Sequence, residues 1–250
     1  MSADSQPSHQ ASPAASSPTP LNKLVESPEF IWFSAHASAL LFFTLGFVFR
    51  SGRFSTILDK LFYLSELVSF ALILYSKYGT KFNLQLFAVD DSVHYFALAI
   101  VWFLTPHRMF TAIPYAIFSL FHVLTYTRAY LLPALGHPQT STACRQIESF
   151  IKTRNDQFTQ LASQVEFVVL CLVTFSALNF RKINAVVFIV YAVFYRFRYA
   201  VSAYTRTTVH SLEVQIDALV NNPNVPDVVK DVWVKFKTGL ANIPGPSKLH

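Results

Sequence analysis

The chain has 250 residues, of which 52% are hydrophobic and only 14% charged, with a net charge of +6 and 25 Phe. Soluble domains carry about 25% charged residues, and the deficit here is concentrated in long apolar runs that a soluble fold of this size does not need. A large-core soluble enzyme is therefore excluded, and the basic balance speaks to orientation and anionic lipid rather than to nucleic acid. The two cysteines, Cys144 and Cys171, form no C-x-x-C motif and read as free thiols.

Residues 1–27 begin with a Ser-, Ala- and Pro-rich stretch, Met1 to Pro20, that cannot bury enough apolar surface to fold; they are expected to form a disordered cytosolic tail. No basic region precedes an early apolar stretch, so this is not a signal peptide. A membrane domain is expected over residues 28–199, all-α and polytopic, with apolar runs at 30–49, 57–75, 92–104, 110–126, 165–180 and 183–195. The first run is closed by Arg50 and Arg53. The second carries Glu66 near its middle and is followed by Lys77 and Lys81. The third and fourth runs are separated by Thr105-Pro106-His107-Arg108, where proline ends the helix and Arg108 seeks water or headgroups. The fifth and sixth are separated by Arg181-Lys182.

Ser92–Leu104 and Ile183–Tyr195 are short. A helix of this length rises about 20 Å against a hydrocarbon core of about 30 Å. Each pair is then either two full spans, with thinned bilayer or helpful flanks, or a hairpin entering and leaving on one face. Between the pairs, residues 141–164 read as an amphipathic helix capped near Ser141 or Thr142 and running into the next membrane segment, with Ile147, Phe150, Ile151, Phe158, Leu161 and Val165 at helical spacing. In either geometry each pair returns the chain to its starting side. Provided the first two runs both span, that side carries 14 of the 20 Lys and Arg, so both termini are expected in the cytosol.

Glu66, His94, His122 and Glu166 lie in or beside apolar runs, and intramembrane ionisable groups are functional candidates by default. The densest cluster is Asp90, Asp91 and His94. A di-iron membrane oxygenase would need several His-x-x-x-His or His-x-x-His-His motifs, and these do not occur. Two adjacent acids also supply too few ligands for a hard cation. The expected role of all four intramembrane groups is structural; in the cluster, Asp90 and Asp91 cap the helix that follows and His94 bonds within the bundle. No catalytic, cofactor-binding or metal-binding residue is expected.

Residues 200–250 are expected to be cytosolic and amphipathic. After the aromatic and basic stretch Arg196-Phe197-Arg198-Tyr199, read as a membrane-interface boundary, Val209, Leu212, Ile216, Leu219 and Val220 follow helical spacing. A last helix is signalled by Asn224 as cap, Pro226 in the first turn and Asp227 at the positive end. In it Val225, Val229, Val232, Phe236, Leu240 and Ile243 form one stripe bordered by Trp233, with Lys230, Lys235 and Lys237 nearby. Such a helix suits an anionic, curved bilayer surface. The alternative is that its stripe packs on the protein's own loops or on a partner.

Three stretches resemble a known family: Asp91-Ser92-Val93-His94-Tyr95; Phe118-Ser119-Leu120-Phe121-His122 with Thr125-Tyr126-Thr127; and Tyr195-Arg196-Phe197 with Arg198-Tyr199. In this order and hydrophobic context, from about Pro28 to Leu219, the chain resembles the transmembrane protein 33 family, which includes fungal proteins of the endoplasmic reticulum and nuclear pore membrane. The resemblance implies a non-enzymatic protein of the endoplasmic reticulum and nuclear envelope. The family is associated with reticulon-type membrane shaping and with nuclear pore biogenesis or distribution. Reticulon-type proteins, pore components or transport factors are the partners it suggests. The competing expectation is a lipid-metabolism enzyme in the same membrane, an acyl-chain dehydratase using Glu66 or Glu166 with a Tyr.

Overall fold

The computed structural model describes residues 21–49, 52–79, 90–105, 109–178 and 182–241. The expected tail at 1–20, Arg50, Lys81, the break at Pro106-His107-Arg108, Arg181 and Ile243 lie outside the described residues. Among the described residues the structure is helical, without strands: α1 (Leu21–Val25), α2 (Pro28–Val48), α3 (Gly52–Tyr78), α4 (Asp91–Leu104), α5 (Met109–Tyr126), α6 (Thr142–Ala177), α7 (Lys182–Val201), α8 (Ala203–Val220) and α9 (Asp227–Ala241). A π-helical turn at Thr127–Leu131 and a helical turn at Leu132–Ala134 extend α5. The protein is an all-α, polytopic membrane protein. Among the described residues, four stretches are long and apolar enough to cross a bilayer: Pro28–Val48, Phe110–Ala134, Thr142–Ala177 and Lys182–Val201.

The boundaries follow local chemistry. Ser27 caps α2, accepting from the Phe30 N–H at 3.2 Å, and Pro28 takes the first helical position, where a missing N–H costs nothing. Asp90 caps α4 by accepting from the Ser92 N–H at 2.7 Å, as the sequence predicts. Ser141 caps α6, accepting from the Cys144 N–H at 3.4 Å. Gly79, at φ 48°, ends α3 in the left-handed conformation with its N–H on the Tyr75 carbonyl at 2.8 Å.

The amphipathic segment runs on into the fifth apolar run, as expected: the two are one unbroken 36-residue helix, α6, in which no glycine or proline occurs. The sixth run, marginal as a span by itself, is lengthened by its flank and continues helical through Val201, giving α7 20 residues. One expectation changes: the second run lies in the 27-residue α3, which is not among the four stretches long and apolar enough to cross a bilayer. Its polar groups Ser55, Tyr63, Glu66 and Ser69 face inward and are buried, while Phe54, Ile57, Leu64 and Val68 are exposed on the opposite side.

In the bundle, α2 packs on α3 and α5, α3 on α4, α5 on α6, and α7 on α6 and α4. Aromatic side chains fill the centre. Phe62, Tyr63, Phe70, Tyr95, Trp102, Tyr115, Tyr191 and Phe194 are all buried. Tyr115 meets the rings of Tyr63, Phe70 and Tyr95 edge-on at 5.6–6.0 Å between centroids. Edge-to-face contacts let the positive ring edges meet negative faces, which favours such a core without polar atoms.

Candidate functional site

Among the described residues, two buried clusters with ionisable groups, a hydroxyl cluster of Ser163, Thr205 and Thr208 between α6 and α8, and the last helix depart from a plain apolar bundle. The first cluster joins α2, α3 and α5. Ser119 on α5 donates to Glu66 Oε1 on α3 at 2.6 Å, and His36 Nδ1 on α2 lies 2.8 Å from the same Ser119 oxygen. A hydroxyl has one proton, so with Ser119 donating to Glu66 the Nδ1-protonated tautomer of His36 is the one that completes the chain by donating to Ser119. Ser69 donates to the Glu66 carbonyl at 2.9 Å, with its Oγ 3.5 Å from Oε2. His122 is placed beside this cluster, its ring 4.8 Å from that of His36 and 4.9 Å from that of Trp32. Glu66, His36, Ser69 and Ser119 are all at most 1% exposed. In a bilayer core such groups persist only when they satisfy one another.

The second cluster joins α4, α6 and α7. Tyr95 of α4 donates to Glu166 Oε1 of α6, and Arg198 of α7 approaches Glu166 Oε2 with Nε at 3.4 Å. Arg198 Nη1 donates to Asp91 Oδ2 at 2.8 Å, and its guanidinium lies 5.5 Å over the Tyr95 ring. Tyr191 donates to the Glu166 carbonyl at 3.0 Å, and Tyr115 to the Tyr95 carbonyl at 2.9 Å. His94 does not face a ligand site; it stacks on Phe197 with centroids 4.6 Å apart. Asp90 binds Lys77 Nζ at 2.9 Å and accepts from Tyr78 at 2.9 Å, tying the start of α4 to the end of α3. Among the described residues no group of three or more His, Cys, Asp or Glu is disposed to hold a metal ion.

The three stretches that carry the family resemblance meet here. Asp91, His94 and Tyr95 come from the first, Ser119 and His122 from the second, Phe197 and Arg198 from the third. One reading needs correction. Arg198 is not a headgroup-facing interface residue: it is 7% exposed, inside the bundle. The signal was available, because Arg198 repeats the three- and four-residue spacing of buried Tyr191, Phe194 and Tyr195.

The last helix sits apart. Trp233 Nε1 donates to Asp217 Oδ1 of α8 at 2.6 Å, and Lys237 Nζ binds both Asp217 oxygens at 2.8 and 2.9 Å and Glu213 at 3.5 Å. Hydrogen bonds from Lys237, then from Trp233, hold the Asp217 carboxyl below the usual carboxylate range. Lys230 pairs with Asp227 in its own first turn at 3.1 Å, and Lys235 is exposed. Val228, Val229 and Val232 remain open, at 73%, 47% and 62% exposure. The Phe236 and Leu240 side chains lie outside the described residues. Asn224 is not the cap: its N–H bonds Asn222 Oδ1 at 3.0 Å, and helix begins only at Asp227, after Pro226.

Asp217 therefore clamps α9 to α8. The folded-state pKa is depressed, so the contribution is present above the ordinary aspartate pKa and is lost as pH falls through the folded value. Asp217→Ala should leave membrane insertion unchanged and raise the rate of proteolytic cleavage in the 221–226 connection several-fold at neutral pH. An unaltered cleavage rate would show that the clamp does not hold the two helices together.

A family model described as Transmembrane protein 33/Nucleoporin POM33 matches residues 17–243. The chain belongs to this family. The match runs beyond the Pro28–Leu219 range of the recognised stretches and takes in α9 as well. "Tetra-spanning protein 1" of Schizosaccharomyces pombe is 31% identical over 238 residues, covering 86% of this chain and 84% of that protein. "Nucleoporin POM33" of Chaetomium thermophilum is 26% identical, covering 87% of this chain and 86% of that protein. "Pore membrane protein of 33 kDa" of Saccharomyces cerevisiae is 27% identical, covering 88% and 85%. No solved structure matches the chain.

Proposed function

We propose that this chain is a non-enzymatic protein of the endoplasmic reticulum and nuclear pore membrane that organises curved bilayer and supports nuclear pore complex biogenesis or distribution. The observation that carries the proposal is the open Val228–Val229–Val232 stripe of α9, held beside α8 on the connected end of a membrane bundle. An apolar stripe in the headgroup layer expands one leaflet and favours curvature. The names of the relatives, among them a nucleoporin and a pore membrane protein, support the pore as the place where that curvature matters. Both termini face the cytosol in this reading, because the basic residues concentrate on that side. Val229, Lys230, Val232, Trp233, Lys235, Phe236, Lys237 and Leu240 form the membrane-facing segment, with an anionic, curved bilayer as partner and reticulon-type proteins, pore components or transport factors as candidate protein partners. Trp233 and Lys237 serve this segment from its α8 side, since Asp217 already engages them.

Depletion of the protein should cluster or thin out nuclear pores and alter the balance of tubules and sheets, scored by fluorescence and electron microscopy. Normal pore spacing together with normal reticulum would contradict the proposal.

The Tyr95–Glu166 contact is the one observation that favours the dehydratase reading. Against it, Glu166 Oε2 is engaged by Arg198 and the pair is 6% and 1% exposed. Purified protein should not dehydrate 3-hydroxyacyl thioesters. Turnover abolished by Glu166→Gln, with the fold intact, would establish the enzyme reading instead.

A further inference from the structure

The polar ends of α4 and α7 are closer together than a bilayer core is thick. At one end of α4, Asp90 is tied to Lys77 at 2.9 Å, and Asp91, its side chain 44% exposed, is tied to Arg198 at 2.8 Å. At the other end, Lys60 of α3 donates to the Phe103 carbonyl and lies 5.1 Å from the centroid of the Phe103 ring, which places its ammonium beside the end of α4. The 14 residues of α4 between these bands rise about 20 Å. The neighbouring α7 spans the same interval: Lys182 is exposed at its start, and Arg198, buried but tied to the exposed Asp91, stands at the level of that band about 24 Å along the helix. Between the bands the outer surface is apolar and open, with Ile100 of α4 and Val186, Ile189 and Val193 of α7 exposed. The other side of the bundle differs. α2 has 21 residues and, after Glu29, no charged side chain, which gives about 28 Å of apolar length. Leu41 and Phe47 are exposed along it.

We propose that the α4–α7 face is a lipid-binding surface for a thinned or short-chain bilayer, whereas the α2 face fits a bilayer of ordinary thickness. The occupant is phospholipid whose hydrocarbon layer is about 20 Å deep, against about 30 Å in bulk. A full-thickness bilayer would press acyl chains onto the exposed Lys77 and Asp91 at one end or onto Lys60 and Lys182 at the other. The lipid instead thins or exchanges for shorter chains. The result is a thickness step across one protein, a deformation distinct from insertion of α9 into the headgroups. The inference concerns the bilayer around the bundle and stands whether or not the pore role does.

The full chain, with Cys144→Ala and Cys171→Ala, would carry one bimane-labelled thiol at Ile100→Cys, Ile189→Cys, Leu41→Cys or Phe47→Cys. Each would be reconstituted into equal mixtures of fourteen-carbon and twenty-two-carbon monounsaturated phosphatidylcholines, with one lipid or the other dibrominated as quencher. At Ile100 and Ile189 the short lipid should be preferred roughly three- to tenfold. At Leu41 and Phe47 that preference should be absent or reversed. The same preference on both faces, or preference for the long lipid at Ile100 and Ile189, would overturn the proposal. Two labels per face guard against one misfolded variant, and circular dichroism identifies such a variant.

Discussion

Arg198→Met should destabilise the protein by about 3–5 kcal/mol, because it leaves Glu166 buried without its cation. Glu166 is 1% exposed and Arg198 7% exposed, so water cannot replace the lost partner. Tyr95 would still donate to Oε1, but the charge-assisted contact to Oε2 and the bridge from α6 through α7 to Asp91 on α4 would be gone. The thermal midpoint in detergent should fall sharply, and much of the protein should elute as aggregate on size exclusion. Adding Glu166→Gln should recover about half of the loss, since a neutral amide is less costly to bury than an unpaired carboxylate. Asp91→Asn alone should cost under about 1 kcal/mol, because an exposed partner retains hydration. If Arg198→Met matches the native protein in midpoint, the three-helix ion network does not hold the bundle together.

Val229→Asp with Val232→Asp should reduce liposome binding by the 200–250 segment more than a hundredfold. Burial of each large apolar side chain contributes about 1.5–3 kcal/mol, and both contributions are lost while two negative charges are added beside anionic lipid. Replacing Lys230, Lys235 and Lys237 with Gln should weaken binding far less. Each Lys near an anionic surface adds about 1 kcal/mol at most, and salt screens it. Lys237 should contribute least of the three, because Asp217 and Glu213 already hold it. Flotation with anionic liposomes of different diameters measures both effects, and smaller liposomes should bind more. Equal binding by the Asp pair and the native segment would mean that the stripe packs on protein instead.

How much of this was legible depended on the range of the interaction. Signals that act within one helical turn were readable: Asp90 and Ser141 as caps, the helical spacing that became α6, and the apolar runs of α2 and α5. The structural role expected for Glu66, His94, His122 and Glu166 named residues without naming their partners. Glu66 meets Ser119 across 53 positions and Arg198 meets Asp91 across 107, and no local pattern specifies such pairs. The short apolar length of α4 was plain, yet the Lys60–Phe103 contact that defines its end needed the packing of α3 on α4. The stripe on α9 was readable from spacing. That Trp233 and Lys237 bind Asp217 was not, because it depends on the angle at which α9 folds back on α8.

Location tests the central claim most directly. A fluorescent fusion made from the native locus, imaged with a pore marker and a reticulum marker, should outline the nuclear envelope, coincide with pores and continue into the reticulum. Val229→Asp with Val232→Asp should leave it inserted but spread it away from pores and tubules. A fusion confined to the plasma membrane or to another organelle, or one excluded from pores and tubules, would contradict the account.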